Sequence, residues 1–198
     1  MILELGVTSN DLRPLQQKLE LLGFPLGSID GIFGKKTKES VIKFQKFIGH
    51  QQTGKLTEST LNILNVELNL LQRLSDYQKF INEDIYVSSG TGGEHKEGSF
   101  HYKALAVDIL IVNPQRSLFE YYLDAERFNF SGIGVYPHWK YGDAQVGGLH
   151  LDRRPLIERG RSARWLGVKV TKEKDGKSVF QQHYIGFNLA NLKKYKLV

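Results

Sequence analysis

Two separated segments of the chain carry residue types that bind divalent metal ions. His101 lies seven residues before Asp108, and Asp108 falls in a strongly apolar segment where an unpaired carboxylate would be costly to bury. Farther along the chain, His150 and Asp152 would point to the same face of a strand. Two imidazoles and one carboxylate suit Zn²⁺, and three protein ligands leave the fourth tetrahedral position to water. Such a metal lowers the pKa of its bound water to about 7, so the pattern predicts a catalytic site.

The segments that carry these residues predict an α+β domain with an antiparallel sheet. Residues 106–112 form an apolar run typical of a buried strand, and residues 149–152 alternate apolar and polar side chains. Residues 117–128 have helical periodicity. Near the end of the chain, two strand-like segments flank Asp175-Gly176, which is a hairpin signal. The candidate ligands therefore lie on one loop and two strands.

The N-terminal third of the chain predicts three helices. Apolar side chains recur at helical spacing in residues 15–22 and again in residues 41–48. Gly23 is placed to end the first helix, and Thr57 is a typical N-cap for a third. The three helices would form a small domain with its own apolar core.

The boundary between two domains is predicted close to residue 66. A length of 198 residues fits one large domain or two small ones. Residues 67–80 are interpreted as a linker followed by the first helix of the second domain, with capping-box spacing at residues 75–78. We therefore expect a three-helix domain over residues 1–66 and an α+β domain over residues 67–198.

The N-terminal region resembles the three-helix peptidoglycan-binding module of cell-wall hydrolases. Three features carry the resemblance over about 50 residues: the turn from Asp30 to Gly34, the Phe44-Gln45 pair, and the closing segment from Gly54 to Leu61. Phe33 and Phe44 are interpreted as packing residues rather than ligand contacts. The resemblance implies that bacterial peptidoglycan is the partner of this region.

Residues from about 72 to 166 resemble a zinc peptidase family that includes D-alanyl-D-alanine carboxypeptidases and phage L-alanyl-D-glutamate endopeptidases. The signature of that family is Ser-x-His-x-x-Gly-x-Ala-x-Asp, followed by His-x-Asp, and here Ala104 replaces the glycine. The resemblance implies that His101, Asp108 and His150 hold Zn²⁺. It also implies that the chain is a zinc metallopeptidase, of the D,D- or L-alanyl-D-glutamate type, with an α+β fold.

The chain departs from this family at the general base. Many members carry an acidic residue or histidine three positions before the second ligand histidine, where this chain has Gly147. The nearest upstream carboxylate is Asp143, which becomes our candidate catalytic base. Asp152 and His138 are the alternatives.

A second departure concerns the cation that grips the substrate carboxylate. Many family members place an arginine in the loop before the first histidine, but residues 89–96 contain none. Lys96, Arg153 or Arg154 could replace this arginine, although a lysine would not bind the carboxylate through the same two parallel hydrogen bonds. His95, in the same loop, is interpreted as a surface residue.

Composition limits the possible partners. The net charge of +6 attracts polyanions, but the 27 basic residues are dispersed and form no nucleic-acid motif, so we predict no nucleic-acid partner. The absence of cysteine excludes disulfides and thiolate metal sites. We expect a monomer.

The sequence predicts neither a signal peptide nor a membrane-spanning segment. The N-terminus lacks the basic and apolar regions of a secretory signal, and no run of about 18 apolar residues occurs. We expect synthesis in the cytoplasm of a host cell and action on the cell wall, with release through a holin-like pore if the protein is phage-encoded.

Two functions remain open from the sequence. The first is an endolysin-like peptidoglycan hydrolase that cleaves a peptide bond in the stem or crosslink peptides through a zinc-activated water. The second is a peptidoglycan-binding or structural wall protein with impaired catalysis, which Gly147 keeps open.

Overall fold

The computed structural model describes residues 2–155, 162–174 and 177–198, without the side chains of residues 174 and 177. Within these residues there are six α-helices: α1 (Leu12–Leu21), α2 (Lys35–Phe47), α3 (Glu58–Leu64), α4 (Leu68–Ile81), α5 (Leu118–Ala125) and α6 (Leu189–Lys194). The strands are β1 (Ile85–Ser89), β2 (Ala106–Ile111), β3 (Gly132–Tyr136), β4 (Lys140–Tyr141), β5 (Ala144–Gln145), β6 (Gly148–Asp152), β7 (Ala163–Lys174) and β8 (Lys177–Gly186). The α+β class is confirmed.

Buried amides tie the three N-terminal helices to the loops between them. The side chain of Gln16 on α1 donates to Asp30 Oδ1 at 3.1 Å and accepts from the Gly31 N–H at 2.8 Å. Gln45 on α2 donates to the Lys55 carbonyl at 2.8 Å and accepts from the Gly54 N–H at 2.9 Å. These two glutamines satisfy backbone groups that would otherwise be buried without partners. The recognisable Phe-Gln pair thus has a structural role.

The six-stranded sheet has the order β1-β2-β6-β3-β7-β8, and β4 and β5 form a separate hairpin. All neighbours are antiparallel except β3 and β7, which are parallel. The prediction of an antiparallel sheet was therefore wrong at one pair. Strand β6 occupies one edge of β3 and runs antiparallel to it. Strand β7, which follows β6 in the chain, pairs with the other edge of β3 and runs parallel to it. The predicted Asp175-Gly176 turn lies outside the described residues.

Helix α4 begins directly after the N-terminal region, without the predicted linker. Its buried side chains extend along the whole helix, from Leu70 through Leu74 and Tyr77 to Ile81. Residues 75–78, predicted to cap a helix, lie inside α4 because this apolar stripe continues on both sides of them. None of the described helices is long and apolar enough to cross a membrane.

The N-terminal region and the sheet share one hydrophobic core, which includes Phe44, Leu64, Leu74 and Val87. The predicted boundary at residue 66 falls between α3 and α4, inside this continuous core. Backbone hydrogen bonds across this boundary, from Val87 to Ile48 and from Thr91 to Asn62, position the loop that follows β1.

The N-terminus of α5 provides a test of local stability. The Ser117 hydroxyl accepts from the Glu120 N–H, and the Glu120 carboxylate accepts from the Ser117 N–H at 2.9 Å, a complete capping box. We expect Ser117→Ala to lower the free energy of unfolding by about 1 kcal/mol. Ser75→Ala, inside α4, is the control and should be neutral or slightly stabilising, because alanine has the higher helix propensity. Urea denaturation measures both, and an equal loss in the two variants would contradict the boundaries of these helices.

Candidate metal centre

Three side chains from distant parts of the chain converge on one point. Asp108 on β2 and His150 on β6 are directly paired in the antiparallel register, and His101 approaches from the loop before β2. His150 Nδ1 lies 2.8 Å from Asp108 Oδ1 and 3.2 Å from His101 Nε2. His101 Nε2 lies 3.3 Å from Asp108 Oδ1. The structure therefore brings together the three ligands predicted from the sequence.

The spacing of these three atoms fits a tetrahedral metal ion. Zinc lies about 2.0–2.2 Å from nitrogen and oxygen ligands, so neighbouring ligand atoms are roughly 3.3 Å apart. The observed separations of 3.2 and 3.3 Å match this value, and the 2.8 Å separation is slightly shorter. The donor set and its geometry fit Zn²⁺.

The opposite nitrogen of each histidine is held by a second group. His101 Nδ1 lies 2.7 Å from the Gly90 carbonyl, to which it can only donate, so Nε2 keeps its lone pair for a metal. His150 Nε2 lies 3.2 Å from Asp152 Oδ2. Asp152 is fully buried and also accepts from Arg154 Nε at 2.9 and 3.0 Å. Such outer contacts orient metal-binding imidazoles.

The carboxylates control the charge of this cluster. Burial disfavours the charged form of His150, but hydrogen bonds and charges from Asp108 and Asp152 outweigh burial and raise the pKa of His150 to about 9. Burial works in the opposite direction on Asp152, where His150 and Arg154 prevail and lower the pKa to about 2. The pKa of Asp108 is also lowered, because its hydrogen bonds to His101 and His150 overcome its burial. Both carboxylates are thus anionic and suited to a cation.

Two glycines on β3 make room for this arrangement. A Cβ atom on Gly132 would lie 2.2 Å from Asp152 Oδ2, and one on Gly134 would lie 2.5 Å from the Trp165 ring. The sequence indicated no role for either glycine, because it does not show which side chains pack against a glycine in a strand. Their function is close approach to a buried carboxylate and to an indole.

The structure does not bring the candidate base Asp143 to the metal centre. Asp143 is exposed in the turn between β4 and β5, and it is not among the described residues that line the cleft. His138 does not line the cleft either. Asp152 lies behind His150 with both oxygens engaged, so it cannot accept a proton from solvent. None of these three residues is positioned to act as the base.

The candidate ligands open into a cleft of about 870 Å³, whose lining adds Glu94, Glu97 and Trp165 to residues that the sequence had already indicated. Its described lining includes Glu94, His95, Lys96, Glu97, Arg154 and Trp165. Of the predicted carboxylate-binding cations, Lys96 and Arg154 line this cleft, whereas Arg153 pairs with Glu67 on another face. Arg154 is already hydrogen-bonded to Asp152. Lys96 is exposed, so of these two cations it is the better placed to bind a substrate carboxylate.

His95 was predicted as a surface residue but is half-buried beside the ligands. Its ring stacks on the His101 ring with centroids 3.9 Å apart and an interplanar angle of 1°. One ring nitrogen of His95 lies within 4.8 Å of the potential metal-binding atoms of His101 and Asp108. Its Nε2, however, lies 3.0 Å from both Ser89 Oγ and the Gly92 carbonyl, so His95 is a poorer ligand than His150. Burial and the nearby His101 lower the pKa of His95, which favours a neutral ring.

The role of Asp152 can be tested through metal affinity. We expect Asp152→Asn to weaken zinc binding about 10- to 100-fold, because the amide accepts less strongly from the His150 ring. Competition with a chromogenic chelator measures the affinity. Asp143→Asn is the control and should leave zinc affinity unchanged. Equal affinities in both variants would show that Asp152 does not orient His150.

Comparison with known proteins supports part of this description. Residues 8–64 match the family described as "Putative peptidoglycan binding domain". This match covers α1 to α3 and supports the assignment of the N-terminal region as a peptidoglycan-binding module. No curated protein matches the chain. Among solved structures, the Burkholderia AP3 phage endolysin is similar with 20% identity and a TM-score of 0.31, over 46% of this chain and 40% of the endolysin. The likeness thus spans less than half of either protein.

Proposed function

We propose that this protein is a zinc-dependent peptidase that cleaves a bond in the stem or crosslink peptides of bacterial peptidoglycan. The proposal depends on one observation: His101, Asp108 and His150 converge with metal-ligand spacing in an open cleft. The peptidoglycan-binding match of residues 8–64 supports the choice of substrate.

The residues of the cleft would divide the work. His101, Asp108 and His150 would hold the zinc ion, which when bound would supply an acidified water and polarise the scissile carbonyl. The Gly90 carbonyl would hold His101 in its ligand tautomer, and Asp152 would orient the His150 ring once metal binding has displaced the proton from its Nδ1. Lys96, exposed at the edge of the cleft, pairs with a carboxylate of the stem peptide.

His95 is the proton acceptor in this proposal. It is the neutral imidazole next to the ligands, and a proton acceptor must lie within reach of the attacking water, directly or through a second water. We expect His95→Asn to lower kcat about 10²- to 10⁴-fold while zinc remains bound. Glu97→Gln, in the same loop, is the comparison. A large loss in Glu97→Gln with little change in His95→Asn would assign the role to the carboxylate instead.

The proposed function is tested by mass spectrometry of fragments released from purified peptidoglycan. Expected products carry new peptide termini and disappear when a chelator is added, then return with zinc. Wall that stays unchanged with and without zinc, although the protein still sediments with it, would replace this proposal by a wall-binding role without catalysis.

A further inference from the structure

Two further cavities continue from the cleft towards the N-terminal region. The first, of about 350 Å³, lies between α3 and the loop after β1, and shares Glu94 and His95 with the cleft. The second, of about 420 Å³, shares His50, Ser59 and Tyr86 with the first. These shared residues place the two cavities and the cleft next to one another, in a row. We call the two added cavities the composite groove.

Both parts of the chain build the composite groove and hold it in a fixed arrangement. The Val87 N–H on β1 donates to the Ile48 carbonyl at 2.9 Å, and the Thr91 N–H donates to the Asn62 carbonyl at 2.8 Å. Gly90 is packed so closely that an added Cβ would lie 2.5 Å from the Asn62 carbonyl oxygen. The wall-binding module is therefore seated against the loop that carries His95 rather than tethered to it.

The lining of the groove is uncharged over most of its length. The described residues around the second cavity include no Asp, Glu, Lys or Arg, and Glu94 is the one such residue around the first. Hydroxyl and amide side chains predominate: Gln51, Thr53, Thr57, Ser59 and Asn62. An anionic polymer requires lysine or arginine partners, which this groove does not offer.

Aromatic rings form one side of the groove. The centroid of the Tyr86 ring lies 5.1 Å from the centroid of the His50 ring and 5.3 Å from that of the Tyr141 ring. These three rings come from the module, from β1 and from the β4–β5 hairpin. Aromatic faces beside hydroxyl and amide groups suit a ligand with apolar ring faces and many hydroxyl and amide groups.

We infer that the composite groove binds the glycan strand of peptidoglycan, so that one wall strand contacts the module and presents its stem peptide to the metal centre. N-acetylated sugars have the uncharged, hydroxyl-rich chemistry that the lining matches. This inference rests on the proposed function for the identity of the polymer, but glycan binding can be measured without hydrolysis.

The test uses the full chain and oligomers of N-acetylglucosamine, which are uncharged N-acetylated sugars without peptide, with binding measured by calorimetry. Ser59 is exposed on α3, so Ser59→Trp fills the groove without entering the core. We expect it to weaken glycan binding at least about tenfold. Ser59→Ala, at the same position, should bind like the unaltered chain. Tyr141→Ala should weaken binding about three- to tenfold, whereas Tyr141→Phe keeps the ring and the affinity.

The same variants separate this inference from the proposed function. On intact wall, Ser59→Trp should lower kcat/KM, while hydrolysis of soluble crosslinked peptides without glycan should be unchanged. Glycan chains that bind Ser59→Trp as tightly as Ser59→Ala would overturn the inference even if the wall is cleaved. Weaker hydrolysis of glycan-free peptides with unaltered glycan binding would assign the groove to peptide and also overturn it. Failure of all hydrolysis would end the proposed function and leave the binding result standing.

Discussion

Replacing His150 with alanine is expected to remove zinc from the protein and to lower kcat/KM on peptidoglycan about 10³-fold or more. His150 contributes an Nδ1 atom 2.8 Å from Asp108 Oδ1, whereas the nearby His95 has its Nε2 engaged by Ser89 and the Gly92 carbonyl. With two ligands left, the centre would lose the Lewis acid on which the proposed chemistry depends. Metal content by mass spectrometry and fragment release from purified wall are the measurements.

Two companion variants make this result specific. Asp108→Asn preserves the size of the side chain while removing its charge, so zinc loss in this variant shows that ligand chemistry, not altered packing, is responsible. His183→Ala, on the outer strand β8, should keep both zinc and activity. Wall binding should survive in all three, since residues 8–64 are untouched. Full zinc occupancy and activity in His150→Ala would refute the metal centre.

Gly49→Ala is expected to destabilise the protein by about 3–5 kcal/mol, the range of the most damaging substitutions. Gly49 has φ +73°, and an added Cβ would lie 2.1 Å from the Ile85 carbonyl oxygen and 2.9 Å from Tyr86 Cα. Both contacts are with backbone, which cannot rotate away as a side chain does. The module would have to separate from β1, which would break the contacts across the shared core.

Gly142→Ala is the matched control for this effect. Gly142 also has a positive φ, +58°, but an added Cβ would meet nothing within 4 Å, so the cost is the left-handed backbone alone, about 1–2 kcal/mol. Equilibrium unfolding in urea compares the two. Similar losses in both variants would show that the module is not seated against β1, and would also weaken the case for the composite groove.

The fixed seating of the module has a consequence for function. A module that shares a core with the sheet places its bound polymer at a set distance and angle from the metal ligands. If the composite groove binds the glycan strand, binding and cleavage would occur on the same wall strand, because the groove and the cleft share Glu94 and His95. In that case the shared core, rather than the length of a connecting segment, would determine how that strand reaches the cleft.

Local chemistry and periodicity were sufficient to predict several features of this protein. The sequence indicated His101, Asp108 and His150 as candidate metal ligands, and the structure brings these three side chains together. Helical spacing and the Thr57 cap predicted the small N-terminal helices, and Thr57 does accept a hydrogen bond from the Thr60 N–H. These features depend on residues close together in the sequence, or on the ligand chemistry of single side chains.

Other features arise only when distant segments pack. The register that pairs Asp108 with His150, the parallel contact of β3 with β7, and the stacking of His95 on His101 each depend on tertiary structure. Asp143 lies exposed between β4 and β5, and proximity along the chain does not determine whether such a turn reaches the candidate ligands. Sequence by itself determined which atoms could bind a metal; only packing decided which groups surround them, because those neighbours come from elements far apart in the chain.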